Sequence, residues 1–524
     1  MEVESRPVEL TVDGQVAVVP ESAGTLLDAL RDHLGVRSPK DGCSPQGQCG
    51  CCTVLVDGAP RVACVTPVRR VAGRTITTLD GLPPDEREMW AEAFCATGAS
   101  QCGFCTPGIL VRLSGLRAKE PDADDAAIGR ALAAHLCRCT GWRTIHEAWD
   151  ALHDGRVAAS PARDLDAASR RATIEGRTPQ QVGPEVALGA GSFADDGAPA
   201  DALVAVPDGR GGWAVGETLA TARAAAGKVQ GRRTTVPVEP PLALPDGDWA
   251  VTLRTSWVEP AYLETDASWC APGGEPASPL GNGGAFGGKV HSPVVDAARR
   301  LADEHGRAVR VLLSREDTVR LGAKRPPIAA GLRADGTGVL RAARTPGLAE
   351  LVRAVAPHVT LEEVDLAGPP TSMDVRAAGW AELELLRAGL ARAAGPVRSP
   401  DGAVAEASIT DGRIRVRVSC GDPLDDVVLR SYCIGAAHMA FGWITSEGLA
   451  VDPGGAVHDL TVRSFGVVRA LDTPPIDVEI APDDGPPVNG SDAVFVAVAA
   501  ALWVERGCPP DLPDTVRSRR GGSP

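Results

Sequence analysis

The feature that most constrains this chain is one short loop crowded with cysteines. Residues 42–52 read GCSPQGQCGCC and place four thiols in a glycine-rich, non-helical stretch. Neighbours such as Cys51 and Cys52 do not easily form a disulfide with each other, because disulfide geometry needs converging Cβ vectors. The loop therefore predicts a metal or metal-cluster site.

The other cysteines are also concentrated early in the chain, ten of the fourteen lying before residue 140. The N-terminal stretch has no basic region followed by an apolar one, and no later run approaches the ~18 apolar residues of a membrane span. We therefore expect a cytoplasmic protein without a membrane span. In that compartment thiols stay reduced, which favours cysteines as ligands or as buried small side chains.

Charge and composition narrow the class of partner. The formal net charge is −15 and no block of Lys and Arg occurs, which argues against a nucleic-acid surface. Hydrophobic residues make up 44% and charged residues 23%, as in ordinary globular proteins. At ~100 to 200 residues per domain, the length predicts three or four domains.

Periodicity divides the chain. Alternating runs around Asp13-Gly14, a helical run and two later strand-like runs predict a small mixed β-sheet domain with one helix over residues 1–84, with Cys64 on the last strand. Four helical runs predict a compact helical domain over 85–154. A polar linker is predicted over 155–185. A mixture of strands and helices predicts an α+β module over 186–515, followed by a tail over 516–524.

The cysteines form two sets of four. A [2Fe–2S] cluster needs four thiolates, two for each iron. The first set is taken as Cys43, Cys49, Cys52 and Cys64, with one residue more between the first two cysteines than the C-x4-C-x2-C spacing. The second set is Cys102, Cys105, Cys137 and Cys139, in which each close pair is predicted to serve one iron. A structural zinc site is the alternative, although CxC pairs are unusual there.

The cysteine motifs resemble those of a known family. The small iron–sulfur subunit of the xanthine oxidase (molybdenum hydroxylase) family is similar over residues 6–153, in the segments GCSPQGQCGCCTVLVDG, VACVTP, QCGFCTPG and CRCTGWRTI. The resemblance implies a β-grasp ferredoxin domain with an outer [2Fe–2S] cluster and a four-helix domain with a second one. It implies that Gln101 and Cys139 lie beside a molybdopterin. It also favours Cys52 over Cys51 as a ligand, because Cys52 directly precedes the strand TVLVDG.

Fragments of the second module resemble the molybdopterin subunit of the same family, in the same order. They are VEPAYLETDASW, GGAFGGK, MDVRAAGWAE, YCIGAAHMAFGWITSEGL and GPPVNGSDAVFVAVAAAL. The resemblance implies a compact molybdopterin-binding module in which Asp492 stands where the family has its catalytic glutamate. The cofactor-binding residues that it implies here are Gly283, Gly284, Phe286, Gly287, Gly288, Arg376 and Gly435.

Three features depart from that family. The module is shorter, Asp492 has one methylene fewer than glutamate, and His438 and Met439 replace apolar and glutamine residues. Asp492 is also explained as the cap of the helix that follows it, and His438 as a core histidine.

Two functions follow as hypotheses. The first is a molybdenum-dependent hydroxylase of a heterocycle or aldehyde, with Asp492 as the base and electrons leaving through both clusters. The second is an electron-transfer or scaffold protein whose second module is not catalytic. The chain has no room for a flavin domain. The expected partners are therefore a separate FAD-binding subunit or another electron acceptor, and a small-molecule substrate.

Overall fold

The computed structural model describes residues 6–157, 163–227, 236–458 and 460–514. The chain begins with a five-stranded sheet in the order β2-β1-β5-β3-β4. Its strands are β1 (Pro7–Val12), β2 (Gln15–Pro20), β3 (Thr53–Val56), β4 (Ala59–Val62) and β5 (Thr75–Thr77). β1 and β2 form an antiparallel hairpin, and β1 pairs with β5 in parallel. Helix α1 (Leu26–Asp28) continues as a π-helical turn over Ala29–His33 and buries Leu26, Leu27 and Leu30.

Four helices follow, as the sequence predicts. They are α2 (Pro84–Thr97), α3 (Thr106–Arg117), α4 (Asp125–Ala131) and α5 (Arg143–His153). Helix α3 begins directly after Cys105 with Pro107 in its first turn, where a missing backbone donor costs little. Helix α4 is capped by Asp124, whose Oδ1 accepts from the Ala127 backbone N–H at 2.7 Å.

The remaining chain builds three more sheets and nine helices within the described residues. The sheets have the orders β7-β6-β10-β9, β13-β12-β11-β8-β18 and β14-β15-β16-β17. The strands are β6 (Leu203–Pro207), β7 (Trp213–Gly216), β8 (Val251–Thr255), β9 (Ala267–Cys270), β10 (Val309–Leu312), β11 (Ile328–Leu332), β12 (Gly338–Ala343), β13 (Val359–Val364), β14 (Val397–Arg398), β15 (Val404–Thr410), β16 (Arg413–Ser419), β17 (Ile476–Ile480) and β18 (Asp511–Leu512). The helices are α6 (Leu165–Gly176), α7 (Pro184–Ala187), α8 (Leu219–Ala226), α9 (Val294–His305), α10 (Arg315–Leu321), α11 (Leu348–Val355), α12 (Trp380–Ala391), α13 (Asp426–Thr445) and α14 (Ser491–Glu505).

Helices α13 and α14 pack together in the core of this second part. Trp443 of α13 stacks on Phe495 of α14 with ring centroids 5.5 Å apart, and the Arg325 guanidinium lies over the Trp443 ring at 4.1 Å. By length and composition α13 meets the requirement for a membrane span, but 83% of its most apolar window is buried in the protein. This is the pattern of a core helix.

The stretch predicted as a linker, 155–185, contains a helix with a buried face. Helix α6 buries Ala168, Ala172, Arg171 and Glu175. The prediction did not anticipate this, because a helix whose buried side chains are alanines and an ion pair has no apolar periodicity to detect. The predicted tail over 516–524 lies outside the described residues.

A buried ion pair joins the first part of the chain to the second. Arg138, between Cys137 and Cys139, donates from both terminal nitrogens to the two carboxylate oxygens of Glu447 at 2.6 Å each. Its Nε donates to the Pro260 carbonyl at 3.0 Å. The two side chains are 3% and 2% exposed, so each charge depends on the other for compensation.

We expect Glu447→Ala to lower the free energy of unfolding by about 3–5 kcal/mol, because it leaves the Arg138 charge buried and unpaired. Equilibrium urea unfolding measures this change. The double variant Arg138→Met/Glu447→Leu is expected to lose less than the single variant, since no charge is stranded. As a control, Asp477→Ala breaks the exposed pair with Arg413 and should cost under about 1 kcal/mol. Equal losses for the buried and exposed pairs would contradict this account.

Candidate functional site

The first cysteine group lies in the loop before β3 and in the turn after β4. Cys64 sits in a 3-10 turn over Ala63–Val65, just past the strand on which the sequence placed it. The group has five buried members, each at most 2% exposed: Cys43, Cys49, Cys51, Cys52 and Cys64.

These five thiols interact with one another in a single series. The Cys43 thiol is in hydrogen-bonding contact with the thiols of Cys49 and Cys64, and the Cys64 thiol also contacts that of Cys52. These contacts lower the pKa of Cys43 and raise the pKa of Cys49 and Cys64. The Cys51 thiol interacts in the same way with the Cys49 thiol, so the five thiols follow one another in the order Cys51, Cys49, Cys43, Cys64 and Cys52. The structure brings the four predicted ligands together, and the choice of Cys52 rather than Cys51 among them stays a prediction.

The surroundings of this group suit an iron–sulfur cluster. Backbone N–H groups point at sulfur, from Gln46 to Cys43 Sγ at 3.2 Å and from Cys64 to Cys52 Sγ at 3.4 Å. A Cβ added at Gly42 would lie 3.2 Å from the Sγ atoms of both Cys49 and Cys51, so the loop backbone comes close to these thiols. Four buried thiols with backbone donors fit a [2Fe–2S] cluster.

The second cysteine group pairs its thiols across the two motifs. Cys102 Sγ lies 3.7 Å from Cys139 Sγ. The thiols of Cys105 and Cys137 are in hydrogen-bonding contact. This contact raises the pKa of Cys105 and lowers the pKa of Cys137 to about 6. The sequence analysis assigned the Cys102–Cys105 pair to one iron and the Cys137–Cys139 pair to the other. In the structure each close contact instead joins one thiol of the first motif to one thiol of the second. The pairing differs because the helical hairpin α3–α4 folds the CRC turn back onto the CGFC turn.

The zinc alternative requires three or more ligands converging on one ion. Among the described residues, no group of three or more His, Cys, Asp or Glu side chains is placed to hold a single metal ion. Thiols that come in pairs are instead what the two irons of a [2Fe–2S] cluster require.

The two cysteine groups are in direct contact through backbone. A Cβ added at Gly108 of α3 would lie 2.2 Å from the Gly50 carbonyl oxygen and 2.9 Å from the Cys51 Cα, so α3 packs against the outer loop without a side chain between. The Leu136 N–H donates to the Cys49 carbonyl at 2.9 Å. The Cys51 thiol lies between the groups, close enough to interact electrostatically with Cys137 and Cys105.

Two residues predicted to bind molybdopterin lie on the inner cysteine group. Gln101 Nε2 donates to the Cys139 carbonyl at 2.9 Å and to Ser431 Oγ at 3.0 Å. Gly435 of α13 faces the same carbonyl, and a Cβ there would be 1.8 Å from its oxygen. The structure therefore brings Gln101 and Gly435 together at Cys139.

The predicted glycine-rich loop spans the space between this group and Arg376. A Cβ at Gly284 would lie 2.8 Å from the Cys102 Cβ, and one at Gly287 would lie 1.8 Å from the Asp374 carbonyl oxygen. Gly288 packs on the Tyr262 ring in the same way. The Arg376 guanidinium carbon lies over the Phe286 ring, 5.2 Å from the ring centroid. The Phe286 carbonyl accepts a hydrogen bond from the Arg376 backbone N–H at 3.3 Å.

Asp492 stands in the first turn of α14 and is held by two guanidinium groups. Arg376 Nε lies 3.2 Å from its Oδ1, and Arg177 lies 2.7 Å from its Oδ2. Arg376 also reaches Ser491 Oγ at 3.2 Å and Met439 Sδ at 3.7 Å. The sequence missed Arg177, because the residue that follows α6 is distant in sequence from every motif. Whether Asp492 acts as a base stays a prediction.

The residues at this place do not fit a molybdopterin in the arrangement of this structure. The glycines pack on protein atoms, the Gln101 amide is used by Cys139 and Ser431, and Asp492 is doubly paired. The cavity beside Gln101 and Tyr432 has a volume of about 10 Å³, room for no more than one water molecule.

Comparisons with known proteins agree with the cysteine geometry. Residues 78–150 match the family described as "[2Fe-2S] binding domain". The nicotinate dehydrogenase small FeS subunit of Eubacterium barkeri is 39% identical over 143 residues, which cover 27% of this chain and 90% of that protein. The xanthine dehydrogenase iron-sulfur-binding subunit of Escherichia coli is 37% identical over 145 residues, 27% of this chain and 91% of that protein.

A solved structure extends the likeness to the whole fold. The aldehyde oxidoreductase from Desulfovibrio gigas superposes with a TM-score of 0.68 at 15% identity, covering 97% of this chain and 99% of that one. The α+β architecture predicted from sequence is thus confirmed. Through its iron–sulfur part, the chain belongs to the molybdenum hydroxylase (xanthine dehydrogenase) family of oxidoreductases.

His438 is a core histidine whose ring is not satisfied. It is fully buried, and neither ring nitrogen has a hydrogen bond of standard geometry among the described residues. Burial, and then the charge of Arg138, lower its pKa to about 3. The neutral ring is therefore the folded form over most of the pH range.

We expect acid to destabilise the protein partly through His438. Its folded pKa of about 3 lies below the ordinary value near 6.5, so between these values only the unfolded chain binds the proton, and stability falls as pH falls. The slope for one such group reaches roughly 1.4 kcal/mol per pH unit. His438→Leu should flatten the fall measured by urea unfolding from pH 7 to 4.5, whereas His305→Gln, at an exposed histidine, should not. His135, with the same lowered pKa, keeps part of the dependence. An unchanged slope in His438→Leu would count against this origin.

We expect the neighbouring cysteines of the outer loop to differ in effect. Cys49→Ser removes a predicted ligand and should eliminate the outer cluster, read as loss of its visible absorbance and of one electron paramagnetic resonance signal. Cys51→Ser is the matched control and should keep both. If Cys51→Ser removes the cluster and Cys49→Ser does not, the ligand register is wrong.

Proposed function

We propose that this chain relays single electrons through two [2Fe–2S] clusters, as the electron-transfer part of an oxidoreductase. The observation that carries the proposal is the contact of the two cysteine groups through Gly50, Cys51 and Gly108, with every proposed ligand buried except Cys102, which is half-buried. The proposed ligands are Cys43, Cys49, Cys52 and Cys64 for the outer cluster and Cys102, Cys105, Cys137 and Cys139 for the inner one. Each cluster, when bound, accepts and releases one electron at a time.

Side chains of the second module hold the outer loop in place. Arg315 is fully buried and donates to the carbonyls of Gly42 and Leu263 at 2.6 and 2.7 Å. Gln46 donates to Glu316 at 2.8 Å and to the Leu460 carbonyl at 3.1 Å. The Arg315 guanidinium, bound to the carbonyl of the residue before Cys43, is a buried positive charge. It favours the more negative, reduced state of a cluster held by Cys43. A fixed loop also limits the rearrangement that accompanies electron transfer.

The proposed domain division has iron–sulfur domains over 1–84 and 85–154 and a larger module over 186–515, into which α6 of the predicted linker 155–185 is packed. The fold of that module follows aldehyde oxidoreductase, and its contacts with both cysteine groups support a role as their frame. This role does not require chemistry in the module itself.

The partners and the cellular location are inferred from the relatives of the iron–sulfur part. Both relatives of the iron–sulfur part are named as subunits, one a small FeS subunit and the other an iron-sulfur-binding subunit. By analogy we propose that this chain passes its electrons to a separate FAD-binding subunit or another acceptor in the cytoplasm. The other end of the relay would take electrons from a small-molecule substrate oxidised elsewhere in the assembly.

Hydroxylation of a heterocycle or aldehyde by this chain itself is the second candidate function. It is favoured by the fold likeness over 97% of the chain and by the convergence of Phe286, Arg376 and Asp492. The contacts that fill the predicted molybdopterin site weigh against it, and for that reason electron relay is the preferred proposal.

We expect anaerobically purified protein to contain about four irons per chain, as two [2Fe–2S] clusters require. Dithionite reduction should give two distinct electron paramagnetic resonance signals. Cys137→Ser should remove one signal and about two irons, whereas Cys270→Ser, at a buried cysteine of β9 in a separate core cluster, should keep both signals and all the iron. Zinc in place of iron, or a single signal from intact protein, would overturn the proposal.

A further inference from the structure

The place that the family resemblance reserves for molybdopterin is filled by the chain's own helix α6 and the residues after it. Ala168 and Ala172 of α6 pack on Val428 and Tyr432 of α13, the helix that carries Ser431 and Gly435. Tyr432 lies near the inner cysteines: burial, followed by the charges of Cys139 and Cys102, raises the pKa of its hydroxyl. Helix α6 therefore lies against the same helix that was expected to contact the cofactor.

Gln180, which follows α6, fills the space over the glycine-rich loop. Its amide nitrogen donates to the Ala172 carbonyl at 3.0 Å, and its amide oxygen accepts from the Tyr432 hydroxyl. A Cβ added at Gly283 would lie 2.5 Å from the Gln180 side-chain carbon. The next residue, Gln181, donates its N–H to Asn282 Oδ1 at 2.7 Å. The space that the missing side chain of Gly283 leaves is thus occupied by the Gln180 side chain.

Glu175 occupies the N-terminus of α14. Its carboxylate oxygens accept from the backbone N–H groups of Gly490 at 3.1 Å and Ser491 at 2.8 Å. Those amides and the helix dipole favour a negative group, and in dinucleotide-binding folds that group is a phosphate. Here the chain supplies the negative group itself.

The Glu175 carboxylate is held in place by a buried ion pair. Arg171, one turn earlier and fully buried, donates to Glu175 at 3.0 Å and to the carbonyls of Pro423 and Val488 at 2.9 Å each. Asn489 donates to the Glu175 carbonyl at 2.9 Å. Removing α6 would leave the carbonyls of Pro423 and Val488 and the backbone N–H groups of Gly490 and Ser491 without these partners, which is costly. The helix is built into the module as a permanent element.

We infer that helix α6, through Glu175 and Gln180, replaces the molybdopterin, so that the second module frames the inner iron–sulfur group and holds no molybdenum cofactor. Glu175 takes the position of an anionic group on α14, and Gln180 takes that of a flat polar group over Gly283. Electrons then reach the inner cluster from a site outside this chain.

Metal and pterin content test this inference directly. The full chain is produced in cells that also make a molybdopterin enzyme of the same family, whose loading shows that the cofactor is available. Iron and molybdenum are counted by mass spectrometry, and released pterin is measured by its fluorescence after oxidation. We expect iron without molybdenum or pterin. Molybdenum and pterin near one per chain would overturn the inference, whereas absence of iron would overturn the proposed electron relay instead.

Hydrogen exchange distinguishes a built-in helix from a displaceable one. The amides of α6 should exchange as slowly as those of α13 in the intact protein. Glu175→Gln should raise α6 exchange about tenfold or more, because a charged hydrogen-bond network is broken. Asp166→Asn, on the exposed face of the same helix, is the control and should change little. Rapid exchange of α6 in the unaltered protein would show that the helix leaves its place, and would overturn a permanent replacement.

Discussion

The buried ion pair between Arg138 and Glu447 is the interaction on which the rest of the arrangement depends. Arg138 stands between two cysteines of the inner group, and Glu447 follows the end of α13, so the pair ties the thiols to the central helix of the second part. Both side chains are almost completely buried. The separation of the two is therefore expensive, and the cysteine turn and the helix keep one relative position.

Small residues then set how closely the parts approach. Gly435 meets the Cys139 carbonyl, Gly284 meets Cys102, and Gly108 meets the outer loop, each at distances that exclude a Cβ. Three separate elements reach the cysteines without intervening side chains. Such direct backbone packing leaves little space for solvent, and a dry, rigid surrounding suits groups that exchange electrons rather than bonds.

The iron–sulfur part was predictable from sequence because its signals are local. Thiol spacing, the strand after Cys52 and the four helical runs each depend on neighbouring residues, and the sheet and helices formed as expected. Cys64 moved from a strand to the turn after it, since strand ends are set by pairing partners. Helix α6 was missed for a different reason: Arg171 and Glu175 resemble solvated charges until Val488, Gly490 and Ser491, more than 300 residues later, provide their partners.

The same limit applies to Asp492. A carboxylate at the start of a helix is compatible with a cap, a base or an ion-pair partner, and the sequence around it is similar in all three cases. In the structure the carboxylate pairs with two guanidinium groups, Arg376 from the turn predicted to contact cofactor and Arg177 from the end of α6, and its role as a base stays a prediction. Because Arg177 belongs to the segment that fills the site, the carboxylate and the helix form one unit. A change that freed Asp492 for chemistry would have to move α6 first, and the buried Arg171 network opposes that movement.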